Sequence, residues 1–231
     1  FVYIKDVPTI VKEKYIDENS GNKIVGFYNF DDSLMNSSHK KKLKKILNKN
    51  LQKFDVVVVA DYGHGLITED IASLISKKSK FLVVNSQINA ANIFHHNLNL
   101  FKKTTCTIIN EGELRHEMRQ RDGDPQKMAR ILKSLVNSKY IAVTQGRKGA
   151  FLINGKRNAE KCPGFATQVI DKIGSGDALL ALLSVCLFNN FDEELSLFIA
   201  SLAAAQSVEN IGNSEPVSKG KLLKTISHLL K

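Results

Sequence analysis

Asp55-Val56-Val57-Val58-Val59-Ala60 sets four β-branched residues in an unbroken row. A strand with one wet face alternates apolar and polar residues, so this run predicts a strand covered on both faces, as in a parallel sheet between helices. Phe81-Leu82-Val83-Val84, Thr107-Ile108-Ile109 and Tyr140-Ile141-Ala142-Val143-Thr144 repeat the theme downstream. The stretches between them read as helices, most clearly through the stripe of Met128, Ile131, Leu132, Leu135 and Val136. Strand and helix alternating every ~30 residues imply right-handed βαβ units and an α/β fold.

Upstream of this core, Thr9 to Ile16 and Lys23 to Tyr28 are β-prone and flank Asp17-Glu18-Asn19-Ser20-Gly21-Asn22, which is turn chemistry. A hairpin is expected there. Ser37 to Leu51 then places Leu43, Ile46, Leu47 and Leu51 on one helical stripe. Downstream, Asp177 to Phe188 and Glu193 to Val208 are helical runs rich in Ala and Leu, and Ser218 to Leu230 closes the chain amphipathically. With no internal repeat or long linker, the 231 residues suit one core with a small appendage.

Composition narrows the function classes. Cys106, Cys162 and Cys186 are too far apart in sequence for a zinc or redox motif, which favours a reducing cytoplasm. No apolar run approaches the roughly 20 residues that span a bilayer, and no signal-peptide pattern opens the chain, so no membrane partner is expected. The net charge of +10 resides partly in Lys40-Lys41-Lys42 and Lys44-Lys45. Only 7% of residues are aromatic and none interleave these lysines, so the run reads as a solvated helix face and no nucleic-acid partner is expected. The chain opens on Phe1-Val2-Tyr3-Ile4, strand-like and without Met, which suggests a piece of a longer protein.

The chemistry concentrates in Val169-Ile170-Asp171-Lys172-Ile173-Gly174-Ser175-Gly176-Asp177-Ala178-Leu179-Leu180. A β-prone stretch, Gln168 to Ile170, runs through a glycine-rich turn into an apolar helix. Such a turn aims successive N–H groups from a helix N-terminus at an anion, and glycines let phosphate oxygens come close. Asp177 beside that anion suits a base that takes a proton from an attacking nucleophile; by spacing alone it equally suits a helix cap.

This segment resembles the Asp-Thr-x-Gly-Ala-Gly-Asp signature of ribokinase-type (PfkB) carbohydrate kinases, with Lys172 in place of Thr and Ser175 in place of Ala. The resemblance implies that Asp177 deprotonates the acceptor hydroxyl while the backbone of Gly174, Ser175 and Gly176 stabilises the transferring phosphoryl group. Asn110-Glu111-Gly112-Glu113 resembles the family's Asn-x-x-Glu motif, implying that Asn110 and Glu113 organise Mg2+ and phosphate largely through water; the same spacing is also a capping box. Val143-Thr144-Gln145-Gly146-Arg147-Lys148-Gly149 resembles the nucleotide-site segment Thr-x-Gly-x-x-Gly, implicating Thr144, Gly146 and Gly149, although as a bare pattern it is a tight hairpin. Asp61-Tyr62-Gly63-His64-Gly65 is similar to a segment of the heptose-phosphate kinase branch, with His64 where Lys is common, and makes Asp61 a candidate substrate contact or a capping turn. Val84-Asn85-Ser86-Gln87-Ile88-Asn89-Ala90-Ala91-Asn92 is a cluster of amides suited to sugar hydroxyls, with Asn85 the candidate. It resembles sugar-kinase modules fused to nucleotidyltransferase-like domains. His95-His96 and the other histidines show no ligand spacing.

The resemblance therefore implies a ribokinase-like three-layer α/β/α fold with a mostly parallel sheet and a small β lid. Residues 1–30 form the lid hairpin and 31–231 the nucleotide-binding and catalytic domain. It further implies ATP and Mg2+ as cofactors, a sugar or sugar phosphate as acceptor, and a homodimer formed through the lid. The alternatives are a non-catalytic nucleotide-binding or dimerisation module, and a kinase for a nucleoside or vitamin alcohol.

Overall fold

The computed structural model describes residues 2–4, 9–18, 23–29, 35–88, 92, 98–155, 158–211 and 214–230. Pro8, the turn residues 19–22, the amide-segment residues 89–91 and the pair His95-His96 lie outside them. The expected hairpin forms from β1 (Val11–Ile16) and β2 (Lys23–Asn29), antiparallel in a sheet of their own.

The main sheet has six strands in sequence order: β3 (Val57–Asp61), β4 (Leu82–Ser86), β5 (Thr104–Asn110), β6 (Ser138–Thr144), β7 (Ala150–Ile153) and β8 (Glu160–Cys162). β3 to β6 run parallel, while β7 and β8 return antiparallel, so the sheet is mixed and mostly parallel. The helices are α1 (Ser37–Asn50), α2 (Glu69–Lys78), α3 (Glu111–Glu117), α4 (Pro125–Leu135), α5 (Ser175–Phe188), α6 (Glu193–Ser207) and α7 (Lys219–Leu229).

Side chains alternate across the strands, so β4 to β7 each feed two cores. Leu82, Val84, Ile109, Ile141, Val143, Phe151 and Ile153 pack with the buried residues of α2, α3 and α4. Val83, Cys106, Ile108, Ala142, Ala150 and Leu152 pack with Leu179, Leu180 and Leu183 of α5 and Leu197 and Ala200 of α6. Helices on both faces of one sheet make the three layers, and all three cysteines are buried free thiols.

Three readings of the sequence change. The valine run is covered on one face only, because Val58 is 45% exposed while Val59 is buried; β3 is the edge strand, where the second layer thins to α5. Gln168 to Ile170 form no strand. The sheet ends at β8, and the N–H groups of Ile170 and Asp171 instead donate to the Val208 carbonyl at 2.8 and 3.2 Å, tying this segment to the end of α6. In α4, Met128, Ala129 and Leu132 are buried, whereas Ile131 and Leu135 are about half exposed, so the apolar stripe is wider than its contact with the sheet.

Candidate active site

The carboxyl ends of the parallel strands place Asp61 opposite Ser86 and Asn110 opposite Thr144 along one edge. Ligands of open α/β sheets gather at this edge, because the strands end there and the following loops are free to vary.

Facing it is the N-terminus of α5. Gly174 stands at the N-cap with φ +84 and supplies no side-chain capping bond to the first turn. A left-handed cap suits glycine, which has no Cβ to clash. The approach is fixed by Asp171 Oδ1, which accepts from Ile173 N–H at 3.1 Å, and by Ser175 Oγ, which donates to the Lys172 carbonyl at 3.0 Å. A Cβ on Gly176 would meet no atom within 4 Å, so the space beside these amides is open.

Asp177 lies in the first turn of α5, half-buried, and burial pushes its carboxyl above the ordinary range. Its charge reaches Tyr62, whose hydroxyl is raised first by burial and then by Asp177, with Lys12 of β1 acting the other way. Lys12 Nζ also sits 4.9 Å from the Tyr28 ring centroid, and Tyr28 lies 6.5 Å from the His64 ring. The hairpin therefore reaches the turn after β3 on the Asp177 side.

Asp61 is buried and commits its carboxylate to the fold: Oδ1 accepts from Gly63 N–H at 3.0 Å and Oδ2 from the Ser86 hydroxyl at 3.4 Å. Asn85 donates through Nδ2 to the Ile108 carbonyl at 2.9 Å. Asn92, fully buried, clamps the same turn by donating to the carbonyls of Tyr62 and Gln87 at 2.6 and 2.7 Å.

Asn110 and Glu113 form the capping box of α3: Asn110 Oδ1 accepts from Glu113 N–H at 2.8 Å, and Glu113 Oε2 accepts from Asn110 N–H at 3.0 Å. Glu113 Oε1 accepts from Ile88 N–H at 3.3 Å. Among the described residues no cluster of three or more His, Cys, Asp or Glu could cage a metal. This donor set suits a hydrated magnesium ion held chiefly by phosphate, with Asn110 and Glu113 outside its waters.

Next to Thr144, Gln145 donates its side-chain amide to Glu111 Oε2 at 2.7 Å, and Glu111 Oε1 receives Arg115 at 2.6 and 3.1 Å. The turn Gly146–Lys148 follows, and Gly149 at φ +92 ends it. A Cβ on Gly149 would fall 2.0 Å from the Cys162 carbonyl oxygen and one on Gly164 2.7 Å from the Arg147 carbonyl oxygen, so the two main chains meet directly.

Between this turn and α5 opens a cavity of about 370 Å3. Thr144, Gly146 and Gly149 line one side; Ser175, Gly176 and Leu179 of α5 line another. Ser201, Ala204 and Ala205 occupy one stripe of α6, continued by the capping Val208, and the small size of the first three leaves the space. Phe165, stacked edge-on against Phe198 at 5.4 Å and 86°, helps close it. Arg147 and Lys172 stand at its lining, and among the described residues no carboxylate does. The structure thus brings Thr144, Gly146, Gly149, Ser175 and Gly176 around one cavity, with Asp177 next in the helix. Asn110 adjoins it through its pairing with Thr144, whereas Asp61 and Asn85 lie along the same edge on β3 and β4. Sequence reasoning missed the α6 wall, whose Ala-rich signal is that of any buried helix, and the Pro163–Thr167 segment.

Residues 1–220 match the description pfkB family carbohydrate kinase. The chain belongs to this family. Among curated relatives of this pfkB chain, the bifunctional protein HldE of Campylobacter fetus is 27% identical over 176 residues, covering 71% of the chain and 36% of the relative. The chain spans less than half the length of the curated relatives it matches. Among solved structures, phosphofructokinase-2 from Escherichia coli aligns at TM-score 0.74 and 15% identity, over 95% of this chain and 71% of that one. Ribokinase from Thermotoga maritima aligns at TM-score 0.72 and 18% identity, over 96% and 70%. These likenesses identify the ribokinase-like fold. Among the described residues no helix is long and apolar enough to cross a membrane.

Proposed function

We propose that this pfkB chain transfers the γ-phosphoryl group of ATP to a hydroxyl of a sugar or sugar phosphate. The observation that carries the reading is the cavity itself: its lining combines apolar side chains such as Phe165, Leu179 and Val208 with two glycine turns and two cations, and the next residue along α5 is a half-buried carboxylate. That lining fits a nucleotide, with its terminal phosphate placed toward Asp177 in this reading.

In this mechanism the Asp177 carboxylate takes the proton of the acceptor hydroxyl as its oxygen bonds the γ-phosphorus. The bond from that phosphorus to the bridging oxygen breaks, and ADP leaves with the electron pair. The N–H groups of Gly174, Ser175 and Gly176, at the positive end of α5, stabilise charge on the phosphoryl oxygens. Positioning and electrostatics supply most of the acceleration in such transfers. Thr144, Gly146 and Gly149 hold the nucleotide side. When bound with the nucleotide, magnesium would neutralise phosphate charge, with Asn110 and Glu113 ordering its waters.

Residues 1–30 serve as the lid and 31–231 as the catalytic domain, a division supported by the separate two-stranded sheet and its contact with His64 through Tyr28. The exposed face of that hairpin, with Tyr15 and Phe27 each more than half exposed, supports pairing of two copies through it. Asp61 and Asn85 shape the acceptor edge. The bifunctional character of HldE supports a second module accompanying this one in the whole protein.

Titration calorimetry with a non-hydrolysable ATP analogue, with and without magnesium, tests this reading on wild type and Gly176→Val. The valine has room in the empty site, so the fold should persist while binding disappears. Equal binding by the variant would remove the nucleotide from this turn. Binding without any transfer to a panel of sugars and sugar phosphates would favour a non-catalytic nucleotide-binding module.

A further inference from the structure

Arg147 and Lys172 reach the cavity from two independent turns. Arg147 belongs to the turn Gly146–Lys148, pinned by the Gln145 N–H bond to the Gly149 carbonyl at 2.7 Å and by the crossing with Gly164. Lys172 belongs to the turn before α5, pinned by the Val208 carbonyl, the Asp171 side chain and the Ser175 hydroxyl. Both turns are held by main-chain hydrogen bonds, and both residues are exposed.

Among the described residues no acidic one lines the cavity, so two positive charges stand there without a counter-charge among its described lining. Among the described residues neither Arg147 nor Lys172 forms an ion pair. Asp177 is displaced by burial, and the cations whose charges act on Glu111 are Arg115 and Lys148 rather than Arg147. Two like charges on the lining of one cavity favour a ligand that carries at least two negative charges. A guanidinium can take two phosphate oxygens in a fork, while an ammonium acts as a point charge, so the pair suits a chain of phosphates better than a single one.

We propose that Arg147 and Lys172 form a two-point clamp on the polyphosphate of the nucleotide and set the preference of this site for triphosphate over shorter ligands. The clamp rests on the nucleotide reading of the cavity given above. Neither residue touches the reacting atoms in this assignment; both are specificity residues.

The experiment measures Kd for adenosine, AMP, ADP, a non-hydrolysable ATP analogue and inorganic tripolyphosphate. Wild type is compared with Lys172→Met, Arg147→Met, the double variant and the conservative Lys172→Arg. Each charge removal is expected to weaken the ATP analogue about tenfold, ADP less, and adenosine less than twofold. The slope of log Kd against log salt should become shallower in step, and Lys172→Arg should retain most of the affinity. An unchanged Kd for the ATP analogue in the double variant overturns the clamp while leaving the nucleotide reading intact. An equal loss for adenosine and the ATP analogue also overturns it, since that pattern marks a structural role. Tripolyphosphate binding that needs both cations, in a protein that ignores every adenine ligand, overturns the nucleotide reading and with it the clamp as stated, and marks a polyphosphate site instead. A wild type that binds none of the five ligands overturns both.

Discussion

The side-chain amide of Gln145 donates to Glu111 Oε2 at 2.7 Å, joining the turn after β6 to the first residue of α3. Through this bond the Asn110–Glu113 capping box and the glycine turn of the cavity share one support. Glu111 also holds Arg115, which donates onward to the Arg121 carbonyl at 2.8 Å.

Glu111→Ala should cost about 1–3 kcal/mol, because it strands the Gln145 amide and a half-buried guanidinium. The Gln145 hydrogen bond, followed by Arg115, holds the Glu111 carboxyl below its ordinary range. A depressed carboxylate contributes stability that is present above its unfolded value and lost as pH falls through the folded one. Urea unfolding at pH 7 should therefore separate wild type from variant, and the gap should close in acid below the ordinary glutamate range. A gap that stays constant with pH would remove the charge from this account.

Asp177→Asn should lower the rate of transfer by about 10²–10⁴-fold, the usual loss for a general base, with little change in nucleotide affinity. Burial raises the wild-type carboxyl, so the ionised base appears, and activity rises, at a higher pH than for an exposed aspartate. The sign for stability is opposite to that of Glu111. A raised carboxylate stabilises the fold below its unfolded value and loses this as pH rises through the folded one. At pH 7 the asparagine variant should consequently melt above wild type; a lower Tm would mean that Asp177 is held by favourable contacts.

Gly149→Ala should destabilise by more than ~3 kcal/mol, since it combines a left-handed residue with a Cβ placed 2.0 Å from the Cys162 carbonyl oxygen. Gly146→Ala has a positive φ as well but nothing within 4 Å, so about 1–2 kcal/mol is expected. Chemical denaturation of the two variants separates strain from collision, and equal losses would contradict the crossing with Gly164.

Asn92→Asp keeps the shape of the side chain but removes the Nδ2 donor that serves the carbonyls of Tyr62 and Gln87. A fully buried loss of this kind should cost roughly 2 kcal/mol or more. It should also raise KM for the acceptor more than for the nucleotide, because Tyr62 lies on the Asp177 side of the site. Equal effects on both KM values would detach this turn from acceptor binding.

The sheet was legible in the sequence because continuous apolar runs such as Leu82 to Val84 serve two buried faces, and burial is a local demand on composition. The Gly174–Asp177 turn was legible because a left-handed cap and an uncapped helix start require a particular residue order. Asp61 was singled out by position, yet whether its carboxylate is spent on Gly63 and Ser86 or left for a ligand depends on where β4 brings Ser86. The same holds for Val58, which looks like its valine neighbours and is exposed only because β3 lies at the sheet edge.

By itself, then, the sequence determined the alternation of strands and helices, the hairpin and the glycine turn at α5, since each follows from interactions among residues a few positions apart. The cavity was decided only by the tertiary structure: Arg147, Lys172 and Ser201 are brought to one place by the return of β7 and β8 and the packing of α6 on them. Contacts between residues so distant in the chain leave no periodicity in the sequence, because their spacing is set by how the layers pack and not by the repeat of any one element.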